Sequence, residues 1–381
     1  MYRAGLAVPN RTVCISMRAT KNDGRLTDDD KGDEKGVRCL KSVNIKKISQ
    51  LAGVSPTAVS FVLNNREGVS EETRRKVQEI IKQEGYIPNI NSRRLSMKRS
   101  FNIAFINSET YAMFTDAFAN GTVKAAVCKA NSMGYNIMLL PEMNLKNRDY
   151  LTTVIGQGDI DGALVMHDID PVIYATLKEN KIPMVAIDSH MQNPPYPCIM
   201  MRYEELAYQV CMYLIGQGHR DIAFLGIESL PEFYLRCLKG YQRALSEKNL
   251  PIRAEWILSA ADDGINVPEA VQNTLKEKLS REHLPTAIFC VNDLTAIGAI
   301  SGLVQMGASV PEDVSIISID DISVAKYYIP PLTTLRVDTA YMGEKAVEIL
   351  HNIIEGKSEG EVFCMDAGEL IVRKSVHSLN P

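Results

Sequence analysis

Chemistry in this 381-residue sequence has to be sought among its acids, thiols, histidines and hydroxyls. Most of them are spaced poorly for catalysis. Two carboxylate pairs stand out, Asp262-Asp263 and Asp320-Asp321, but neighbours on a strand point to opposite faces, so spacing alone makes neither a general acid–base dyad. The eight cysteines (Cys14, Cys39, Cys128, Cys198, Cys211, Cys237, Cys290, Cys364) include no Cys-x-x-Cys pair, and no histidine stands at zinc-ligand spacing. They read as buried free thiols, and neither a metal nor a cofactor is expected. A Gly-x-Gly-x-x-Gly, a Walker loop and a nucleophile elbow are all missing, which argues against an enzyme. The side chains whose types and spacing do suggest a job are Ser55, Thr57 and Ser60, small hydrogen-bonding groups at a helix start, suited to phosphates and base edges. They sit in a basic stretch. Between residues 43 and 100 eleven Lys and Arg oppose five Glu, a net +6 in a chain whose total is −4. A basic segment on an acidic body points to polyanion binding confined to that segment.

The elements that would position these hydroxyls form a tight helical pattern. Asn44 can cap a first helix with Ile45, Ile48 and Leu51 on one face, and Ala52-Gly53-Val54 makes a turn. Ser55 caps a second helix, with Pro56 at its first position and Val59, Val62 and Leu63 inward. Ser70 starts a third, with Glu71 and Glu72 near the positive end of its dipole, Val77, Ile80 and Ile81 inward and Gly85 ending it. Two short helices joined by a glycine turn and braced by a third make a helix-turn-helix head. Residues 1–42 lack apolar periodicity and read as a disordered tail, in part the product of a start assigned too far upstream, with Met17 an alternative. Residues 89–100 read as a hinge or linker, too short to hold a helix alone.

From residue 101 short apolar runs alternate with amphipathic stretches. Strands are expected at 101–106, 136–140, 162–166, 184–188, 222–225, 287–291 and 314–319, with helices at 116–133, 204–217, 235–248 and 294–306. The fold class is α/β, a helix-turn-helix head followed by a two-lobed core (101–381) of parallel sheets flanked by helices. Ligand contacts belong where strand C-termini open onto a crevice. With no apolar run of about 18 residues and no apolar export region, a soluble, cytoplasmic protein without membrane contact is expected.

The string Ile45-Lys46-Lys47-Ile48, Leu51-Ala52-Gly53-Val54-Ser55, Ala58-Val59-Ser60, Val62-Leu63-Asn64, Val69-Ser70-Glu71-Glu72-Thr73-Arg74 and Gly85-Tyr86-Ile87-Pro88-Asn89 closely resembles the head of the lactose/galactose repressor family. The body agrees in Ile160-Asp161-Gly162, Gly218-His219-Arg220, Gly240-Tyr241, Asn292-Asp293, Val310-Pro311-Glu312-Asp313 and Pro330-Pro331-Leu332-Thr333-Thr334. The resemblance implies a ligand-responsive regulator, a repressor of genes for carbohydrate or related metabolites. It would be a homodimer, sometimes a tetramer, with a body like a periplasmic sugar-binding protein and paired heads on a near-palindromic operator. It implies DNA contacts from Asn44, Lys47, Ser55, Pro56, Thr57, Ala58, Ser60, Phe61, Asn64, Asn89, Ser92, Arg93 and Leu95, the last wedging into the minor groove. Effector contacts would come from Phe114, Asp188, Arg236, Asn292 and Asp320.

Departures from the family pattern change the expected specificity. Phe61 stands where an Arg often reads guanine; it can touch a thymine methyl but cannot make the bidentate bond, so a different half-site is expected. Lys47 replaces a frequent acid and becomes a possible phosphate contact. Where the family carries its ligand-contacting Arg, three residues before Gly240, this chain has Cys237, and Arg236 lies one residue off, about 100° around the helix. His219 and Trp256 read as structural. A small-molecule binding protein without DNA activity is the rival, and the head speaks against it.

Overall fold

The computed structural model describes residues 44–63, 66–86, 94, 97, 99–107, 117–141, 148–228, 230–261, 266–365 and 368–380. The chain divides between Pro88 and Asn89 into two compact units.

In the first unit, the Asn44 side chain accepts the Lys47 amide at 3.0 Å and starts α1 (Ile45–Ala52). Gly53 closes it at φ 67°, a left-handed turn that a residue without Cβ adopts freely. Ser55 Oγ accepts the Ala58 amide at 3.1 Å at the start of α2 (Pro56–Leu63), and Ser70 does the same for Thr73 ahead of α3 (Glu71–Glu84). Ile48, Ala52, Val59, Val62 and Val77 form the buried centre. Leu51 departs from expectation: it is 48% exposed, because Ile48 and Ala52, four apart, take the buried line of α1 and leave Leu51 on its flank.

The second unit holds two six-stranded sheets. The first is built from β1 (Asn102–Asn107), β2 (Asn136–Pro141), β3 (Gly162–Met166), β4 (Met184–Ile187), β5 (Cys198–Met201) and β11 (Val362–Met365) in the order β2-β1-β3-β4-β5-β11, all parallel. The second contains β6 (Ile222–Ile227), β7 (Ile257–Ala260), β8 (Ala287–Cys290), β9 (Ser315–Asp320), β10 (Thr333–Arg336) and β12 (Glu369–Ile371). Its order, β7-β6-β8-β9-β10-β12, repeats the first, and only β12 runs antiparallel. This is the doubly wound order whose switch point collects ligands outside the strand C-termini, and here it occurs twice.

Helices α4 (Ala117–Ser132), α5 (Arg148–Gly156) and α6 (Pro171–Glu179) belong to the first lobe. The second has α7 (Tyr203–Gly216), α8 (Pro231–Glu247), α9 (Val267–Lys278) and α10 (Asp293–Gln305). α11 (Thr339–Ile354) returns to pack on α4 and under β3, β4 and β5. The chain therefore passes between lobes after β5, after β10 and again after β11. Close approach fixes two helix pairs: a Cβ at Gly240 would lie 2.1 Å from the Glu204 carbonyl oxygen of α7, and one at Gly343 2.3 Å from that of Thr122. Among the described residues of the body, five strands and four helices lie beyond the expected set. β5, β7, β10, β11 and β12 have four residues or fewer and little periodic signal, while the equally short β4 and β8 lie in the expected apolar runs at 184–188 and 287–291.

Candidate functional site

The head presents the helix start that the hydroxyl spacing called for. Ser55, Pro56 and Thr57 are exposed at the N-terminus of α2, with Ala58, Ser60 and Phe61 half-buried behind them. Ser55 Oγ is engaged as the helix cap, while Asn44 caps α1. Phe61 leans toward the loop ahead of α3, where a Cβ on Gly68 would come within 3.3 Å of its ring. Lys47 is held in the head by a 2.6 Å ion pair with Glu84 of α3, in competition with any phosphate contact. Asn64, Asn89, Ser92, Arg93 and Leu95 lie outside the described residues.

In the body, strand C-termini of both sheets open onto one cavity of about 70 Å³. Asp188 follows β4, Asn292 follows β8 and Asp320 ends β9, and all three line it. Three residues that spacing did not single out join them, His167 after β3 and His190 from the first lobe and Tyr203 at the start of α7, together with Phe233 of α8. His167, Asp188 and Asp320 have φ of 60°, 58° and 126°, unusual for residues with a Cβ and of the kind that clusters at ligand sites. Phe114, Asp262 and Asp263 lie outside the described residues.

Asp188 is the electrostatic centre. It is 1% exposed; the Tyr203 hydroxyl donates to its Oδ1 at 2.7 Å, and His190 Nε2 and His167 Nδ1 stand 3.4 and 3.5 Å from its Oδ2. Burial alone would push this carboxyl up, but the charge and hydrogen bonding of His190 and His167 outweigh it and hold the group well below the ordinary carboxylate range. Burial, and secondly Asp188, push the Tyr203 phenol far above its usual value, so it stays a donor. The turn carrying these groups is pinned by Asp168, which accepts from Ser189 Oγ at 2.6 Å and from the His190 amide at 3.1 Å. His190 is stacked between His167, centroids 5.0 Å apart, and Phe233, 5.5 Å apart.

Asn292 has two roles at once. Its Oδ1 accepts from the Thr295 amide and hydroxyl at 2.9 and 2.7 Å and caps α10, leaving the amide N–H groups as what it can offer the cavity. Asp320 and Asp321 part company. Asp320 lines the cavity, while Asp321 is ion-paired to Arg373 at 2.6 Å and Arg336 at 2.8 Å.

Arg236 is not among the residues lining this cavity. Its guanidinium donates to the Met191 carbonyl at 2.9 Å and borders a separate surface recess with Gln192 and Arg202. The reason is helical phase: Phe233, Cys237 and Gly240 take the inward face of α8, turning Arg236 to the side. Cys237 is fully buried, and burial, then Asp320, push its thiol well above the ordinary range. His219 is structural, its Nδ1 3.1 Å from Thr286 Oγ1 and its Nε2 3.1 Å from the His377 carbonyl. The histidines of the cavity were visible in the sequence only as residues directly after or near apolar runs, in Met166-His167-Asp168 and Asp188-Ser189-His190.

A helix-turn-helix head carried by a two-lobed, doubly wound body with a polar inter-sheet cavity is the plan of a ligand-binding transcriptional regulator. Residues 44–89 match the family described as "Bacterial regulatory proteins, lacI family", and residues 212–376 match "Periplasmic binding protein-like domain". The HTH-type transcriptional repressor PurR of Photobacterium profundum is 33% identical over 88% of this chain and 99% of its own length. That of Pasteurella multocida is 32% identical over 88% and 98%. Among solved structures, the transcriptional regulator CelR–cellobiose complex is 26% identical, with a TM-score of 0.65 over 87% of this chain and 99% of that one. The lac repressor dimer bound to operator and the anti-inducer ONPF shares the fold, with a TM-score of 0.68 over 88% and 100% at 23% identity. The chain belongs to the lacI family of bacterial regulatory proteins and is a DNA-binding transcriptional regulator with a ligand-binding body. Among the described residues no helix is long and apolar enough to cross a membrane.

Proposed function

We propose that this regulator represses from a near-palindromic operator as a cytoplasmic homodimer, and that the cavity between its two sheets takes a carbohydrate or related polar metabolite as effector. The observation that carries the reading is the convergence of Asp188, Asn292 and Asp320 from strand ends of both sheets on one cavity. Hydrogen-bonding groups drawn from two lobes make ligand binding a report on lobe spacing, and a ligand acts only through its different affinities for the two arrangements. In the head, Ser55, Pro56, Thr57, Ala58 and Ser60 read the major groove, Asn44 and Lys47 meet phosphates, and Phe61 meets a thymine methyl. Residues 89–100 act as the hinge, ordering over the minor groove with Leu95 as the wedge. Arg236, turned aside, does not take the place of the family's arginine.

The test is fluorescence anisotropy on operators selected from a random duplex pool with the full chain. Binding should be two-fold symmetric and fall about 1000-fold between 50 and 200 mM salt, as for six or more neutralised phosphates. Calorimetry against a metabolite panel should find a ligand that Asp320→Ala binds at least tenfold more weakly and that changes operator affinity. Salt-independent binding, or selection of no sequence, sinks the DNA reading. Unchanged ligand affinity in Asp320→Ala removes that residue from the site.

A further inference from the structure

The effector cavity contains a set of side chains that carbohydrate recognition does not require. One ring nitrogen of His167, one of His190 and an Asp188 oxygen all lie within 4.8 Å of one another. From Asp188 Oδ2 to His167 Nδ1 and His190 Nε2 the distances are 3.5 and 3.4 Å. Those separations are longer than the about 2.7–2.9 Å of tight charge-assisted hydrogen bonds, so the imidazoles steady the carboxylate without closing on it. The same separations match the edge of a tetrahedral coordination shell: ligand bonds of about 2.0–2.1 Å to a zinc-class ion place ligand atoms roughly 3.3–3.4 Å apart. We propose that His167, Asp188 and His190 bind one divalent transition-metal ion of the zinc class in the cavity, leaving a coordination position open toward Asn292 and Asp320 for an oxygen of the effector.

The surroundings support the assignment independently of those distances. Asp188 gives Oδ1 to the Tyr203 hydroxyl and turns Oδ2 to the imidazoles, the division of labour of a metal-bound carboxylate held by an outer hydrogen bond. His190 is locked between His167 and Phe233, so its Nε2 is aimed before any ion arrives. Asp168 fixes the His190 backbone. Left-handed backbone at His167 and Asp188, two adjacent strand ends, turns both side chains toward the same point, an arrangement maintained at a cost in strain. His167 is 26% exposed on its side chain and supplies the route in. Two imidazoles and one carboxylate with an open position is a set that selects borderline divalent ions over magnesium or calcium. A polyol or hydroxy acid effector would complete the shell, so this inference deepens the effector reading and rests on the cavity being its site.

The experiment is titration of the metal-free full chain with Co²⁺ and Zn²⁺ alone, followed by calorimetry and visible absorption, with operator anisotropy recorded on the same metal-free samples. Expected are one ion per chain and Co²⁺ ligand-field bands without a thiolate charge-transfer band. His167→Asn and Asp188→Asn should each bind at least tenfold more weakly. Asparagine tolerates the left-handed backbone at both positions, so these variants keep the local conformation. His190→Gln is the third arm should either fail to fold by circular dichroism. Absence of a stoichiometric ion overturns the proposal, as does an ion whose spectrum carries the thiolate band and survives His167→Asn, since cysteines elsewhere in the chain, such as the exposed Cys128 and Cys364, would then be ligands. Operator binding in the metal-free samples separates the outcomes: a chain that binds operator but no ion refutes the metal site alone, and one that binds the ion but no operator refutes the DNA reading alone.

Discussion

Removing one oxygen atom tests whether Asp188 is a buried charge held by its neighbours. In Tyr203→Phe the ring stays in place, edge-on to Phe233 at 4.6 Å and to His190 at 5.8 Å, so packing is preserved. What disappears is the 2.7 Å hydrogen bond to Asp188 Oδ1, with donor and acceptor both buried. Because the acceptor is ionised, the loss is expected at about 1.5–3 kcal/mol, against roughly 1 kcal/mol for a bond between neutral groups. Equilibrium urea unfolding at neutral pH is the assay. The single tryptophan, Trp256, immediately precedes β7 in the body, so its fluorescence follows body unfolding without interference from the head. The midpoint should fall at unchanged slope. In an Asp188→Asn background the same substitution should cost only about 1 kcal/mol, and the difference is the coupling of the pair. Equal costs in both backgrounds, or a cost below about 0.5 kcal/mol in the native sequence, would refute the picture of a charged Asp188 held by Tyr203.

Asp293, fully buried at the start of α10, accepts from Ser318, Thr334 and the Ile322 amide, yet burial raises its pKa to about 6. A carboxyl raised in the folded state favours folding most when protonated. Its contribution is therefore complete below about pH 4 and is lost as pH rises through 6, by up to about 3 kcal/mol. Unfolding free energies of the native chain relative to Asp293→Asn should drift in that direction between pH 4 and 7, and a constant difference would contradict it. In the head, Gly53→Val forces a β-branched residue to φ 67° and should cost the head about 1–2 kcal/mol. Gly53→Val should weaken operator binding in anisotropy more than Gly53→Asn, and native-like binding by both variants would show that the turn does not require the left-handed conformation.

The head was legible in the sequence because its information is local. Asn44, Ser55 and Ser70 cap helices a few residues long, Gly53 and Gly85 close them, and every one of these interactions spans four residues or fewer. Even there, periodicity put Leu51 inward, and only packing showed that the small Ala52 takes the buried position. In the body, the long apolar strands and their helices were also legible, since burial on both faces of a parallel sheet leaves near-continuous apolar runs. Strands β5, β7, β10, β11 and β12 were not: β11 finds its partner β5 across more than half of the body, a pairing no local pattern encodes. The cavity was legible in part. Asp188, Asn292 and Asp320 could be named because they match positions that the family resemblance assigns to the effector, each at or just after an expected strand. His167 and His190 are separated by a helix and a strand, well outside any metal-ligand spacing, and they meet only because β3 and β4 lie side by side in one sheet and the backbone turns left-handed after each. The same tertiary constraint decided against Arg236: the sequence set it one residue from the inward position on α8, and packing of Phe233, Cys237 and Gly240 against the body made that residue count. Local chemistry thus determined the helix-turn-helix head, and contact between distant strand ends determined which side chains meet in the cavity.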